Sequence, residues 1–227
     1  MSHSLEATYN PDSDIFAEFH TILIIDDDEM LLSLLTQSIL QNHTETVVVN
    51  TSQPRLAMEA LRHLYFDVLI SDINMPALMG DKIISEAKAC SPITYTIAIT
   101  GRIDTAFMAG KCQPDAFLDK NKGFNTVSNV IETGIEESKK RRANILKNHA
   151  DNDEPAKKHW RDFERLRNEL GNTQTDVINS RKKIKAIAFM QRRPWKLQKE
   201  QIATYSGYSS YQKLTSAVET VAAIFSI

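Results

Sequence analysis

Cysteine is scarce in this sequence: Cys90 and Cys112 are the only two in 227 residues. They stand apart, with neither CxxC spacing nor a neighbouring histidine, which argues against a zinc site and against a disulfide-stapled scaffold. Two buried thiols in a cytoplasmic protein are expected instead. Long apolar runs are missing as well. No stretch approaches the roughly 18 consecutive apolar residues that mark a membrane-spanning helix. The opening segment, MSHSLEATYNPDSDIF, has no basic flank and no apolar core, so no secretory signal is expected. Residues 155–227 contain no catalytic dyad and no glycine-rich phosphate loop, which makes an enzymatic output the least favoured reading of that region.

What is present suits a globular chain. Hydrophobic residues make up 42% and charged residues 25%, and the length admits one large domain or two ordinary ones. The net charge of −2 conceals an asymmetry. Residues 1–150 carry 13 Lys/Arg against 20 Asp/Glu, a balance of −7, whereas residues 155–227 carry 14 against 6, a balance of +8. An acidic first part and a basic second part imply two domains with different partners, the second open to a polyanion.

From residue 21 to about 142, short apolar runs alternate with amphipathic segments. The runs are Thr21–Ile25, Glu45–Val49, Phe66–Ser71, Tyr95–Thr100 and Ala116–Asp119. Helical periodicity follows each one: Glu29–Leu40, a segment opened by Ser52 and Pro54, Gly80–Ala89, a short segment near Thr105–Lys111, and a last one from about Asn125 past Arg142. Five strands alternating with five helices imply a parallel sheet covered on both faces. Ligand sites in such sheets lie beyond the carboxyl ends of the strands.

The residues at those ends are Asp26, Asp27 and Asp28, then Asp72, Thr100 and Lys120. Converging carboxylates repel unless a cation neutralises them, and a hard, oxygen-liganded ion such as Mg²⁺ fits. A hydroxyl and an ammonium at the same edge can receive a phosphoryl group, and an Asp carboxylate can act as its nucleophile. Asp28, next to a helix start, is expected as a cap.

These stretches, LIIDDDEM, FDVLISDINMP, AITG and DAFLDK, resemble the receiver domains of two-component response regulators over about residues 20–142. The resemblance implies a flavodoxin-like α/β fold with a five-stranded parallel sheet. It makes Asp72 the phosphoacceptor, with Mg²⁺ held by Asp26, Asp27, Asp72 and the Asn74 carbonyl. Thr100 becomes the switch hydroxyl, Lys120 the phosphate-binding lysine, Phe117 the aromatic switch and Arg102 a neighbour of the phosphate. A sensor histidine kinase is implied as partner, and the only chemistry is the domain's own phosphoryl transfer and dephosphorylation. One position departs from the family, which has proline in a cis peptide after the lysine. Here Asn121 follows Lys120, and a cis bond to a non-proline residue costs about 2.5–4 kcal/mol. The loop is then trans or strained, with the lysine less rigidly placed.

Beyond the receiver, residues 143–154 read as a linker and residues 155–227 as a small all-α domain, with segments Trp160–Leu170 and Val177 to about Met190. The last receiver helix, continuing through ESKKRRANILKNHA, is expected to carry contacts of a homodimer. Residues 197–220 resemble the first helix-turn-helix of arabinose-operon-type regulators: Ile202–Ala203, Gly207, Tyr208–Ser209–Ser210, and an apolar Leu214 seven after the glycine. That family's second unit is absent. The resemblance implies DNA binding, with Gln212 and Lys213 reaching base edges among exposed Ser210, Tyr211 and Ser216. Phosphate contacts would fall to Lys182, Lys183, Arg192 and Arg193, with Arg181, Lys185, Lys196 and Lys199 nearby. The alternative is a helical protein-interaction or dimerisation module.

Overall fold

The computed structural model describes residues 4–9, 19–76, 80–101, 112–122, 125–150, 174–191 and 197–225. Five strands run parallel as expected: β2 (His20–Ile25), β3 (Thr46–Thr51), β4 (Val68–Asp72), β5 (Tyr95–Thr100) and β6 (Ala116–Asp119). The sheet has a sixth. Strand β1 (Glu6–Tyr9) pairs antiparallel with β3, giving the order β1-β3-β2-β4-β5-β6. This strand comes from residues 1–20, which the sequence alone reads as an N-terminal extension ahead of the receiver. Its four residues, EATY, are too short to carry a periodic signal.

The strands are apolar on both faces because both faces are covered. On one face Ile22, Ile24, Val68, Ile70, Ile97 and Ile99 pack against α1 (Glu29–Asn42) and α4 (Asn125–Ala150). On the other, Leu23, Val47, Val49 and Leu69 meet α2 (Pro54–His63) and α3 (Gly80–Cys90). Asp28 caps α1 as expected, its carboxylate accepting the N–H groups of Met30 and Leu31. Helix α2 begins at Pro54, but Gln53 rather than Ser52 stands at its cap. Helix α4 continues to Ala150, through much of the expected 143–154 linker; beyond Gly134 its Lys, Arg, Ala and Leu residues are good helix formers, with no further glycine and no proline. The expected helices near Thr105–Lys111 and at Trp160–Leu170 lie outside the described residues.

The C-terminal helices are α5 (Gln174–Gln191), α6 (Lys199–Tyr205) and α7 (Tyr211–Phe225). Expected as a separate all-α domain, they share one apolar core with the sheet. Ile184, Ile187 and Phe189 of α5 and Val218 and Val221 of α7 are buried in the same cluster as Val47, Val49, Ala57 and Leu61. Helix α5 covers the part of the sheet that β1 widens. Gln191 locks this corner: its Oε1 accepts from Ala7 N at 2.7 Å, and its Nε2 donates to Leu5 O at 2.9 Å and Phe225 O at 2.7 Å. The Leu5 N–H donates to Ile224 O at 2.8 Å.

A second tie lies at the amino ends of the strands. Asp67 is 2% exposed, and its carboxylate accepts from Thr21 N and Oγ1 at 2.9 and 3.2 Å and from Ser138 Oγ at 3.3 Å. Arg142 of α4 and Arg181 of α5 stand 3.5 and 3.6 Å from it. One buried carboxylate therefore neutralises cations from both helices. Removing it takes away the buried negative charge that both guanidiniums face, which is costly away from water. Asp67→Ala is expected to lower stability by about 3 kcal/mol in urea unfolding; an unchanged midpoint would show that the hub contributes nothing.

Candidate functional site

The parallel register brings the strand ends to one level. Ile25 pairs with Ser71, Asp72 with Ile99, and Thr100 with Asp119. Asp26 and Asp27 follow β2, Asp72 closes β4, Thr100 closes β5, and Lys120 opens a single 3-10 turn (Lys120–Lys122) after β6. Asp26 is fully buried, Asp72 is 4% exposed, and Asp27 is open to solvent. One carboxylate oxygen from each of these three lies within 4.8 Å of the others.

The Lys120 ammonium sits between the two buried acids, 2.7 Å from Asp26 Oδ2 and 2.8 Å from Asp72 Oδ2. Around it, Asp28 N donates to Asp26 Oδ1 at 3.0 Å, and Asn74 N donates to Asp72 Oδ1 at 3.1 Å. The Asn74 side chain donates to Thr100 Oγ1 at 3.0 Å. Gly80 is confined by β4, since a Cβ there would lie 1.8 Å from the Asp72 carbonyl oxygen. Phe117 is half-buried against the α2–α3 side of the core. Asp26, Asp27, Asp72, Asn74, Thr100 and Lys120 thus form one constellation, whereas Arg102 lies outside the described residues.

Sequence reasoning missed three contacts. The Asn74 amide engages Thr100, Ser71 Oγ donates to Asp72 O at 3.0 Å, and Asn121 joins two loops. No motif signals any of them: two join loops far apart in sequence, and the third depends on the local rotamer of Ser71. The Asn121 peptide is trans, as no cis bond occurs among the described residues.

Electrostatics distinguish this edge from the opposite one. Burial pushes the Asp26 carboxyl above its ordinary 3.8, and the nearby Asp72 charge adds to that, against the lowering effect of Lys120 and the Asp28 N–H. Burial would lower the Lys120 ammonium, but its bonds to Asp26 and Asp72 outweigh this and raise it. At the opposite edge burial would likewise raise Asp115, yet Arg141 and Thr96 bind it so well that it falls below 3.8. The structural carboxylate is over-satisfied and the site carboxylate under-satisfied. Three carboxylates converging with one ammonium fit a hard divalent cation, with Asp26, Asp27 and Asp72 as its donors.

The comparisons with known proteins agree with this geometry. The family model described as the response regulator receiver domain matches residues 22–132. Residues 22–132 are a response regulator receiver domain. The Fimbriae Z protein of Salmonella typhimurium is 24% identical over 115 residues, which is 49% of this chain and 54% of that protein. The chain therefore matches about half the length of that curated relative. Among solved structures, the signal receiver domain of an HD domain-containing protein from Pseudomonas fluorescens is 20% identical, with a TM-score of 0.51 over 58% of this chain and 98% of that one. An uncharacterized protein from Neptuniibacter caesariensis is 23% identical with a TM-score of 0.51, over 55% of this chain and 93% of its own. These two likenesses carry the receiver fold. No helix among the described residues is long and apolar enough to cross a membrane.

A raised carboxyl means that the folded receiver holds this proton more tightly than the unfolded chain does. Its contribution to stability is therefore lost as pH rises above 3.8. Asp26→Asn is expected to raise the metal-free melting temperature at pH 7, measured by calorimetry; a lower one would mean that the pair with Lys120 outweighs burial.

Proposed function

We propose that the receiver accepts a phosphoryl group on Asp72 from a phosphohistidine of a sensor histidine kinase. The observation that carries this reading is the Lys120 ammonium bridging Asp26 and Asp72 beside Thr100. An Asp72 carboxylate oxygen attacks phosphorus, the bond from phosphorus to the kinase imidazole breaks, and that nitrogen leaves with its electron pair. Lys120 stays in place to neutralise the anionic oxygens, and the Thr100 hydroxyl donates to one of them. Asp26, Asp27, Asp72 and the Asn74 carbonyl would hold a Mg²⁺ ion, which when bound would supply positive charge between the two anions. The new group adds −1.5 to −2 charges. The protein catalyses nothing beyond its own phosphorylation and dephosphorylation. Thr100 and Phe117 then repack as a two-state switch, and α4 offers its contacts to a homodimer.

Labelling by acetyl phosphate is expected to be complete in wild type, absent in Asp72→Asn, and at background after chelation of Mg²⁺. Labelling that persists in Asp72→Asn would overturn the acceptor assignment.

A second reading concerns output. Helices α6 and α7 meet at Gly207, whose φ of +80° favours glycine, and the Tyr208 N–H closes the turn on Ala203 O at 2.8 Å. Ser210 Oγ accepts from Lys213 N, and Gln212, Lys213 and Ser216 face solvent. On this reading the exposed helix is the element that docks to duplex DNA. The basic flank is thinner than its sequence suggests. Arg181 donates to Phe19 O and neighbours Asp67, Lys185 lies over the Phe19 ring, and the Lys182 stem lies alongside Gly207. Lys183 is half-buried, and Arg192, Arg193 and Lys196 lie outside the described residues.

Because α5–α7 share the core of the sheet, the full chain is the proper test material. Transcriptional control predicts micromolar binding of duplex DNA that falls steeply with salt and weakens in Lys182→Glu/Lys183→Glu. No binding at low salt would leave the protein-interaction module as the output.

A further inference from the structure

The turn that carries Lys120 is short, and the side chain it carries must hold an ammonium within hydrogen-bond reach of two carboxylates. The residue that fixes this turn is the next one. The Asn121 backbone N–H donates to Asp119 Oδ1 at 2.9 Å, closing the turn on the end of β6. Its side-chain Nδ2 donates twice, to the same Asp119 oxygen at 3.0 Å and to the Gly101 carbonyl at 2.9 Å. Both amide protons are thereby used, one on each strand end. Gly101 directly follows Thr100, and a Cβ on Gly101 would lie 3.9 Å from both Asn121 Nδ2 and the Lys120 Cβ. The loop after β5 and the turn after β6 therefore touch, and one amide bonds them.

We propose that Asn121 is the positioning residue that couples the Thr100 loop to the Lys120 turn, so that hydroxyl and ammonium are presented to Asp72 as one unit. This rests on the phosphotransfer reading above. Each bond is exposed to water and contributes little to stability, so the role is geometric rather than stabilising. Losing it frees a long lysine side chain at the site, and misplacement of that kind costs rate steeply.

The test compares the wild-type chain with Asn121→Leu, which keeps the size of the side chain and loses its donors, and with Lys122→Ala as a control in the same turn. Three quantities are measured: melting temperature, the rate of labelling by acetyl phosphate with Mg²⁺, and the ¹⁵N NMR signal of the Lys120 ammonium in the unphosphorylated protein. Asn121→Leu is expected to melt like wild type, to label about tenfold more slowly, and to move the Lys120 signal toward that of a solvated lysine, with Lys122→Ala unchanged in all three. An Asn121→Leu protein with the wild-type signal and rate overturns the proposal. If wild type does not label but the Lys120 signal still moves in Asn121→Leu, the phosphotransfer reading fails while the positioning role stands.

Discussion

The ammonium of Lys120 between Asp26 and Asp72 is the contact on which the rest of the site depends. Two buried carboxylates at the end of a parallel sheet repel each other and lose their hydration. A single lysine from the end of β6 offsets this only in part, as the raised Asp26 carboxyl shows. The edge therefore favours any further positive charge, and on the proposed reading an incoming phosphate would meet a cation already facing Asp72. Stability given up here is exchanged for chemistry, the usual bargain at functional sites. Such tension is held only because the strands beneath are rigidly in register and apolar on both faces.

Around this sheet the two ends of the chain close one corner together. Strand β1 widens the sheet beyond β3, helix α5 covers the widened face, and Gln191 bonds β1 and the end of α7 at once. The α6–α7 pair is thus seated on the same sheet face as α2 and α3, against a common core. Any repacking of that core would reach α7 directly. At the other end of the strands, Asp67 ties α4 to α5 through Arg142 and Arg181.

The five parallel strands and the site acids were legible in the sequence for a plain reason: each apolar run ends abruptly in a residue that would be out of place in a core. Asp26, Asp72, Thr100 and Lys120 all carried that signal. The turn at Gly207 was legible because a left-handed residue favours glycine. Strand β1 was not, since four residues of mixed polarity carry no period. Nor was the docking of α5, whose apolar residues Ile184, Ile187 and Phe189 read equally well as the core of a separate bundle. Part of its partner surface is β1 itself. The charge excess of residues 155–227 misled in part, because Arg181 and Lys185 serve Asp67 and Phe19 internally.

The measurement that bears most directly on this account is chemical mapping of the acceptor. The full chain is incubated with acetyl phosphate and Mg²⁺, reduced with borohydride, digested and sequenced by mass spectrometry. An aspartyl phosphate is reduced to homoserine. The account predicts homoserine at position 72 and nowhere else. Homoserine at another aspartate, or none in protein that has taken up phosphate, would contradict it.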